Sequence, residues 1–97
     1  MPAFIVGDVT VTDPEAFKEY SKQVPATIAA YGGKYHVRGG TVDVIEGTWN
    51  PKRLVVIEFE SAAQAKRWLD SPEYQPLKKL RLKAATTNMI LIEGYKP

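Results

Sequence analysis

His36, Arg38 and Glu58 are the residues whose types and spacing could do chemistry on a small molecule. His36 is the only histidine of the chain, and imidazole exchanges protons readily near neutral pH. Glu58 lies among apolar residues of a predicted strand, where a buried carboxylate could act as a base toward an acidic C–H bond or a phenol. The guanidinium of Arg38 could hold a carboxylate or a phenolate through two parallel hydrogen bonds. His36 and Glu58 are therefore catalytic candidates, and Arg38 is a candidate anchor for an anion.

These residues also have a structural interpretation. Arg38 can simply neutralise Glu58 or Asp8, which is the commoner use of such charges, and a single histidine on a strand is more often structural than catalytic. Gly39, followed by Gly40, would let a ligand approach the backbone beside Arg38, although a turn explains the two glycines equally well.

Hydroxyl groups near a break in the second helical region offer further ligand contacts. Ser71 and Tyr74 could lie at the mouth of a pocket, although the favoured interpretation is that Trp68 and Tyr74 pack the broken helix onto the sheet. The candidate ligand-binding residues are Asp8, Arg38, Gly39, Arg53, Ser71 and Tyr74.

Composition excludes several classes of protein. The chain has 97 residues, no cysteine and one histidine, so a disulfide scaffold, a thiolate zinc site and a multi-histidine metal site within one chain are excluded. We expect no cofactor and no metal, because glycine-rich phosphate loops, nucleophile elbows and paired-carboxylate metal motifs are absent. Its net charge of +2 and its short apolar runs predict neither a nucleic-acid nor a membrane partner. Without a visible signal peptide, the expected location is the cytoplasm. The basic residues Lys78, Lys79, Arg81 and Lys83 are interpreted as a solvated helix face.

The apolar periodicities predict one α+β domain over residues 1–97. A strand over 3–11 precedes a helix that begins at Pro14, is kinked at Pro25 and ends at Gly32. Strands are predicted over 34–38 and 41–46, with Gly39-Gly40 between them as a tight turn or as a bulge in one long bent strand. Further strands are predicted over 53–60 and 88–95, and the second helix is broken at Ser71-Pro72. This β-α-β-β-α-β order is typical of a ferredoxin-like antiparallel sheet.

Alternation along the strands predicts that apolar residues occupy both faces of this sheet. Helices can cover only one face, and the other is expected to carry Phe4, Val6, Leu54, Val56, Met89 and Leu91. We therefore expect a second copy to cover it, sheet against sheet, in an isologous dimer. The same alternation places the charged side chains of Asp8, His36, Arg38, Glu58 and Glu93 in a pocket between the two sheets.

Several segments form a combined pattern: Gly32–Gly40, Glu46-Gly47, Pro51–Phe59, Trp68 and Ser71–Tyr74. Together they resemble one bacterial family, the domain of unknown function 1330, within the dimeric α/β-barrel superfamily. The resemblance implies a ferredoxin-like fold, a homodimer and a barrel formed by two facing sheets, but it supplies no activity. The sequence departs from the family pattern at Glu60, where proline is frequent, and at Pro76, which should weaken the last helix.

Two functions remain open at this point. One is a homodimer that binds a small anionic or aromatic metabolite in a polar pocket of the barrel, with or without cofactor-independent catalysis. The other is a non-catalytic stress or ligand-sensing module whose polar cluster is structural. Whether the chain is an enzyme does not follow from its residues.

Overall fold

The computed structural model describes residues 1–96 and confirms the ferredoxin-like α+β fold. Its elements are β1 (Ala3–Val11), α1 (Pro14–Ala30), β2 (Lys34–Arg38), β3 (Leu54–Phe59), α2 (Ala62–Asp70), α3 (Gln75–Ala84) and β4 (Ala85–Glu93). The strands pair antiparallel in the order β2-β3-β1-β4. The helices cover one face of the sheet, and we call the other the open face.

The first helix forms where its residues favour one. Asp13 accepts a hydrogen bond from the backbone N–H of Ala16 (3.3 Å), and Pro14 occupies the first helical position, where a missing N–H costs nothing. The helix continues through Pro25, whose missing N–H leaves the carbonyl of Ser21 without its usual helical donor. That free carbonyl has a role in the site described below.

The break in the second helical region lies where it was predicted. Ser71 is buried; its hydroxyl donates to the carbonyl of Trp68 (2.8 Å) and accepts from the N–H of Tyr74 (3.1 Å). One side chain therefore ends α2 and prepares the start of α3. Trp68 and Tyr74 stack on each other with ring centroids 4.2 Å apart, and both are buried. They pack this corner onto the sheet, as the structural interpretation expected.

Substituting Ser71 tests this local role. In Ser71→Ala both hydrogen bonds of the hydroxyl are lost, although the N–H of Tyr74 keeps the backbone carbonyl of Ser71 as an acceptor (3.2 Å). We therefore expect the free energy of unfolding to fall by about 1–3 kcal/mol. Urea titration measures the change, and Ser61→Ala, at the partly buried start of α2, should cost less because that hydroxyl makes one hydrogen bond. An unchanged unfolding midpoint for Ser71→Ala would show that these hydrogen bonds contribute nothing.

Two predicted strands differ from the structure. Residues 41–46 form no strand, since positive φ at Gly39 (+72°) turns the chain away from β3 and the segment has no pairing partner. The last strand begins at Ala85 rather than at Asn88. In each case the residues are β-formers, and the pairing geometry decides the outcome.

The open face is apolar, but three residues of β4 that were predicted to lie on it, Met89, Leu91 and Glu93, do not. Ile90 pairs with Val6 and Ile92 with Phe4, so these isoleucines lie on the open face and are 59% and 52% exposed. Met89 packs against the core beneath the helices instead, and so does Leu91. Glu93 lies opposite buried Ala3, which separates it from Asp8 and Glu58. The strand register, not the position of one acidic residue, determines which face of β4 is covered.

Candidate binding site

A cavity lies between the sheet and the three helices. Most of its wall is apolar, with Phe17, Tyr20 and Trp68 on the helical side. The cavity has a volume of ≈ 40 Å³, enough for roughly three water molecules. We call this space the inner cavity. Three arginines, Arg38, Arg53 and Arg81, also line it.

No carboxylate neutralises these arginines. Within residues 1–96 the ion pairs are Lys18–Glu15, Lys22–Glu19 and His36–Glu58, and none includes Arg38, Arg53 or Arg81. Guanidinium groups stay charged at any pH the protein meets, so the wall of an apolar cavity carries fixed positive charge. Arg38 is exposed and Arg53 is half-buried, so the cost of an unpaired charge falls mainly on buried Arg81, unless a partner of opposite sign is supplied.

Arg81 is the most buried of the three. It is 7% exposed, and its Nε donates to the Tyr74 hydroxyl (3.2 Å), which in turn lies 3.0 Å from the Tyr20 hydroxyl. The prediction that Arg81 belongs to a solvated basic face is therefore wrong. Its position relative to the buried residues Leu77 and Ala84 would have indicated this, because spacings of four and three place all three on one side of a helix.

The Arg53 side chain packs over an aromatic ring and passes close to a glycine. Its guanidinium lies over the Phe17 ring (5.4 Å from the centroid), and its Nε is buried without a hydrogen-bond partner in the described part of the chain. A Cβ at Gly39 would come within 2.5 Å of its Nη1. The glycine predicted to let a ligand approach the backbone therefore makes room for the Arg53 side chain.

Arg38 reaches the inner cavity through a local irregularity of β2. Tyr35 pairs with Ile57, but Val37 pairs with Val56, so His36 is the extra residue of a β-bulge. The bulge turns Arg38 toward the helices.

The Ser21 carbonyl, which has no donor within the helix, holds the Arg38 side chain in place. Arg38 Nη2 donates to this oxygen (2.7 Å), which Pro25 leaves without its helical N–H donor. The guanidinium also lies over the Tyr35 ring, 4.9 Å from its centroid. The expectation that Arg38 shares a face with His36 and Glu58 is wrong, because a regular alternation cannot anticipate a bulge.

The tyrosines around the cavity act as neutral donors. Burial, reinforced by the neighbouring Tyr74, raises the pKa of Tyr20 far above its ordinary value. Burial also raises the pKa of Tyr35, although Arg38 and Arg53 oppose that shift. Hydroxyl and guanidinium groups therefore present hydrogen-bond donors to whatever enters, which favours an acceptor and above all an anion.

The raised pKa of Tyr20 predicts a specific loss of stability in alkali. Above about pH 10 the unfolded tyrosine ionises while the folded one stays protonated, so unfolding becomes easier as the pH rises. In Tyr20→Phe the fall in unfolding free energy above this pH should be shallower by up to about 1.4 kcal/mol per pH unit. Urea titrations at pH 8 to 11 measure it, with exposed Tyr95→Phe as control; equal slopes for Tyr20→Phe and wild type would refute the prediction.

The remaining candidates lie on the open face. His36 Nε2 is 2.7 Å from Glu58 Oε1, and the imidazole stands edge-on to Phe4 with 5.9 Å between centroids. Asp8 accepts a hydrogen bond from Trp49 Nε1 (3.0 Å) beside a shallow depression. The structure thus brings His36 and Glu58 together, but it separates them from the arginines by the thickness of the sheet.

The predicted site is divided into two sets. Arg38, Gly39 and Arg53 meet on the helix-covered side, and Tyr74 lies behind the cavity wall, where it binds Arg81 and Tyr20. Asp8, His36 and Glu58 lie on the open face, and both hydrogen bonds of the Ser71 hydroxyl are local.

Residues 1–96 contain no group of three or more His, Cys, Asp or Glu side chains placed to hold a metal ion. No helix in this range is long and apolar enough to cross a lipid bilayer.

Comparison with known proteins identifies the family. The model of the domain of unknown function DUF1330 matches residues 2–95. The chain belongs to the DUF1330 family. A comparison with curated proteins gives no match.

Solved structures show how widely the fold of this DUF1330 chain is shared. A protein of unknown function from Rhodopseudomonas palustris is similar with a TM-score of 0.79 at 20% identity, covering 99% of this chain and 84% of that one. SnoaB, a cofactor-independent oxygenase from Streptomyces nogalater, has a TM-score of 0.64 at 16% identity, covering 99% and 95%. An uncharacterized NIPSNAP domain protein from Burkholderia xenovorans has a TM-score of 0.58 at 17% identity, covering 98% and 95%. At these identities the similarities show a shared α+β fold.

Proposed function

We propose that this protein binds a small organic anion, with its acceptor group in the inner cavity and an apolar or aromatic body leading outward. The observation that carries the proposal is the burial of Arg81, which is 7% exposed in a mostly apolar wall and has a tyrosine hydroxyl, not a carboxylate, as its hydrogen-bond partner. A bound carboxylate, phenolate or enolate would supply the missing negative charge. This location replaces the pocket between two sheets that the alternation of residues suggested.

Binding of a simple aromatic acid tests the proposal. Phenylacetate should raise the melting temperature of the wild-type protein in proportion to the logarithm of its concentration, because it binds only the folded state. Neutral 2-phenylethanol, of the same shape, should have little effect. If the acid and the alcohol stabilise the protein equally, or neither does, anion binding in the cavity is refuted.

A second candidate function is oxygenation without a cofactor. Cavity donors that stabilise an oxyanion would favour the enolate or phenolate form of a substrate, the electron-rich form that such a reaction needs. The similarity in fold to SnoaB supports this candidate. Oxygen uptake with substituted phenols and 1,3-diketones tests it: uptake that is lost in an Arg81 variant supports an enzyme, while anion binding without uptake supports a ligand-sensing module.

We also propose that two copies of the chain pack through their open faces. Phe4, Val6, Leu54 and Val56 are only half-buried there, and Ile90 and Ile92 are mostly exposed. A standard interface of about 800 Å² per partner would cover such a face. The His36–Glu58 pair would then lie at the interface, which is where its predicted catalytic role would have to operate.

A further inference from the structure

The inner cavity adjoins a wider surface depression that carries positive charge. This outer depression has a volume of ≈ 500 Å³ and is lined by Val11, Phe17, Lys18, Ser21, Lys22, Arg38 and Arg53. Four of these, Phe17, Ser21, Arg38 and Arg53, also line the inner cavity, so the two spaces share a wall. Arg81 lines the inner cavity only.

The sizes of the two spaces limit how a ligand can lie. The inner cavity holds roughly three waters, about the size of one carboxylate group, whereas binding sites for small molecules usually measure about 300–1,000 Å³. A ligand whose acceptor group reaches Arg81 must therefore extend past Arg38 and Arg53 into the outer depression. Its body would lie over the Phe17 ring and Val11.

Four cationic side chains would meet the outer part of such a ligand. Lys18 and Lys22 are paired with Glu15 (4.0 Å) and Glu19 (3.6 Å), but both ammonium groups are largely exposed, so these pairs are weak and the lysines can turn to another anion. Arg38 and Arg53 have no carboxylate partner within residues 1–96. The four cations that line the outer depression outnumber the two glutamates paired with the lysines, so the net charge there is +2.

We propose that the ligand is anionic at both ends: one oxyanion reaches Arg81 in the inner cavity, and a second anionic group, a carboxylate or a phosphate, lies in the outer depression. This inference rests on the proposed function, since it places the first anion at Arg81. It adds that the physiological ligand belongs to the class of dianions with an apolar or aromatic spacer, and that monoanions of the same body are weak ligands.

Matched probes separate this inference from the proposed function. Calorimetric titration would compare phenylacetate, 1,4-phenylenediacetate and 4-(phosphonomethyl)phenylacetate, which share one ring and one acid. The titrations are run at a pH where the phosphonate carries a single charge, so that both two-headed probes are dianions. We expect these dianions to bind roughly 10- to 100-fold more tightly than phenylacetate, because the second group gains charge-assisted hydrogen bonds. The stronger of the two dianions identifies the outer group as carboxylate or phosphate.

Variants of residues that line the outer depression test where the second anionic group binds. In Lys18→Gln/Lys22→Gln the preference for dianions should fall by about threefold or more, while Lys78→Gln/Lys79→Gln, with the same loss of charge on the exposed side of α3, should keep it. Equal affinity for mono- and dianions in the wild type would overturn the inference and leave the proposed function standing. If no acid binds, both are refuted. A dianion preference that survives Lys18→Gln/Lys22→Gln and also Arg38→Gln would place the second anion elsewhere and overturn the inference.

Discussion

Arg81→Met is expected to make the ligand-free protein more stable. Methionine has a similar length and flexibility, and it fills the same space without an unpaired charge among Phe17, Tyr20 and Trp68. Replacing buried charged groups by apolar ones of similar volume has stabilised proteins by about 1–4 kcal/mol, and a gain within this range is expected here. The Tyr74 hydroxyl keeps its contact with Tyr20, so the substitution strands no donor. Urea titration of the ligand-free proteins measures the gain.

The same variant should lose its response to ligand. Phenylacetate at a concentration that raises the wild-type melting temperature should leave Arg81→Met unchanged, because the charge that binds the acid is gone. Lys79→Met, on the exposed side of α3, is the control and should behave as the wild type does in both measurements. An Arg81→Met protein that is much less stable would mean that Arg81 serves the fold rather than a ligand.

Ile90→Glu is expected to convert a dimer into a folded monomer. The side chain is 59% exposed in the single chain, so a carboxylate there costs the monomer little. In a dimer packed through the open faces it would be buried without a partner, which should weaken association roughly 100-fold or more. Sedimentation equilibrium of the wild type and the variant measures the dissociation constants.

Leu82→Glu is the matched control for this substitution. Leu82 is 62% exposed but lies on α3, on the other side of the molecule, so its replacement should leave the dimer intact. Circular dichroism should show folded protein for both variants. A monomeric wild type, or equal dissociation by the two variants, would contradict packing through the open face.

Most of the fold could be predicted from local patterns. Asp13 and Pro14 mark the start of α1, and Ser71-Pro72 marks the break between α2 and α3, because each residue satisfies or removes particular backbone hydrogen bonds. It was harder to predict which face of β4 the helices cover. Alternation shows that Met89 and Ile90 point in opposite directions, but only pairing with Val6 determines which one the helices cover.

The site could be predicted only in part, for two physical reasons. The bulge at His36 depends on tertiary pairing, and it moves Arg38 to the opposite face from the one that regular alternation predicts. Arg81 was missed because its charged neighbours suggested a solvated surface, although its helical spacing from Leu77 and Ala84 indicated burial. The sequence alone shows that Pro25 leaves the Ser21 carbonyl without its helical donor. Only the structure shows that Arg38 donates a hydrogen bond to that oxygen.

A crystal structure with bound 4-bromophenylacetate is the most direct measurement of whether the cavity binds an anion. Anomalous scattering from bromine would locate the ring, and the electron density would show the carboxylate. We expect the carboxylate within hydrogen-bonding distance of the Arg81 guanidinium, with the bromine directed past Arg53 into the outer depression. A ligand bound on the open face beside His36, or at crystal contacts only, would contradict binding in this cavity.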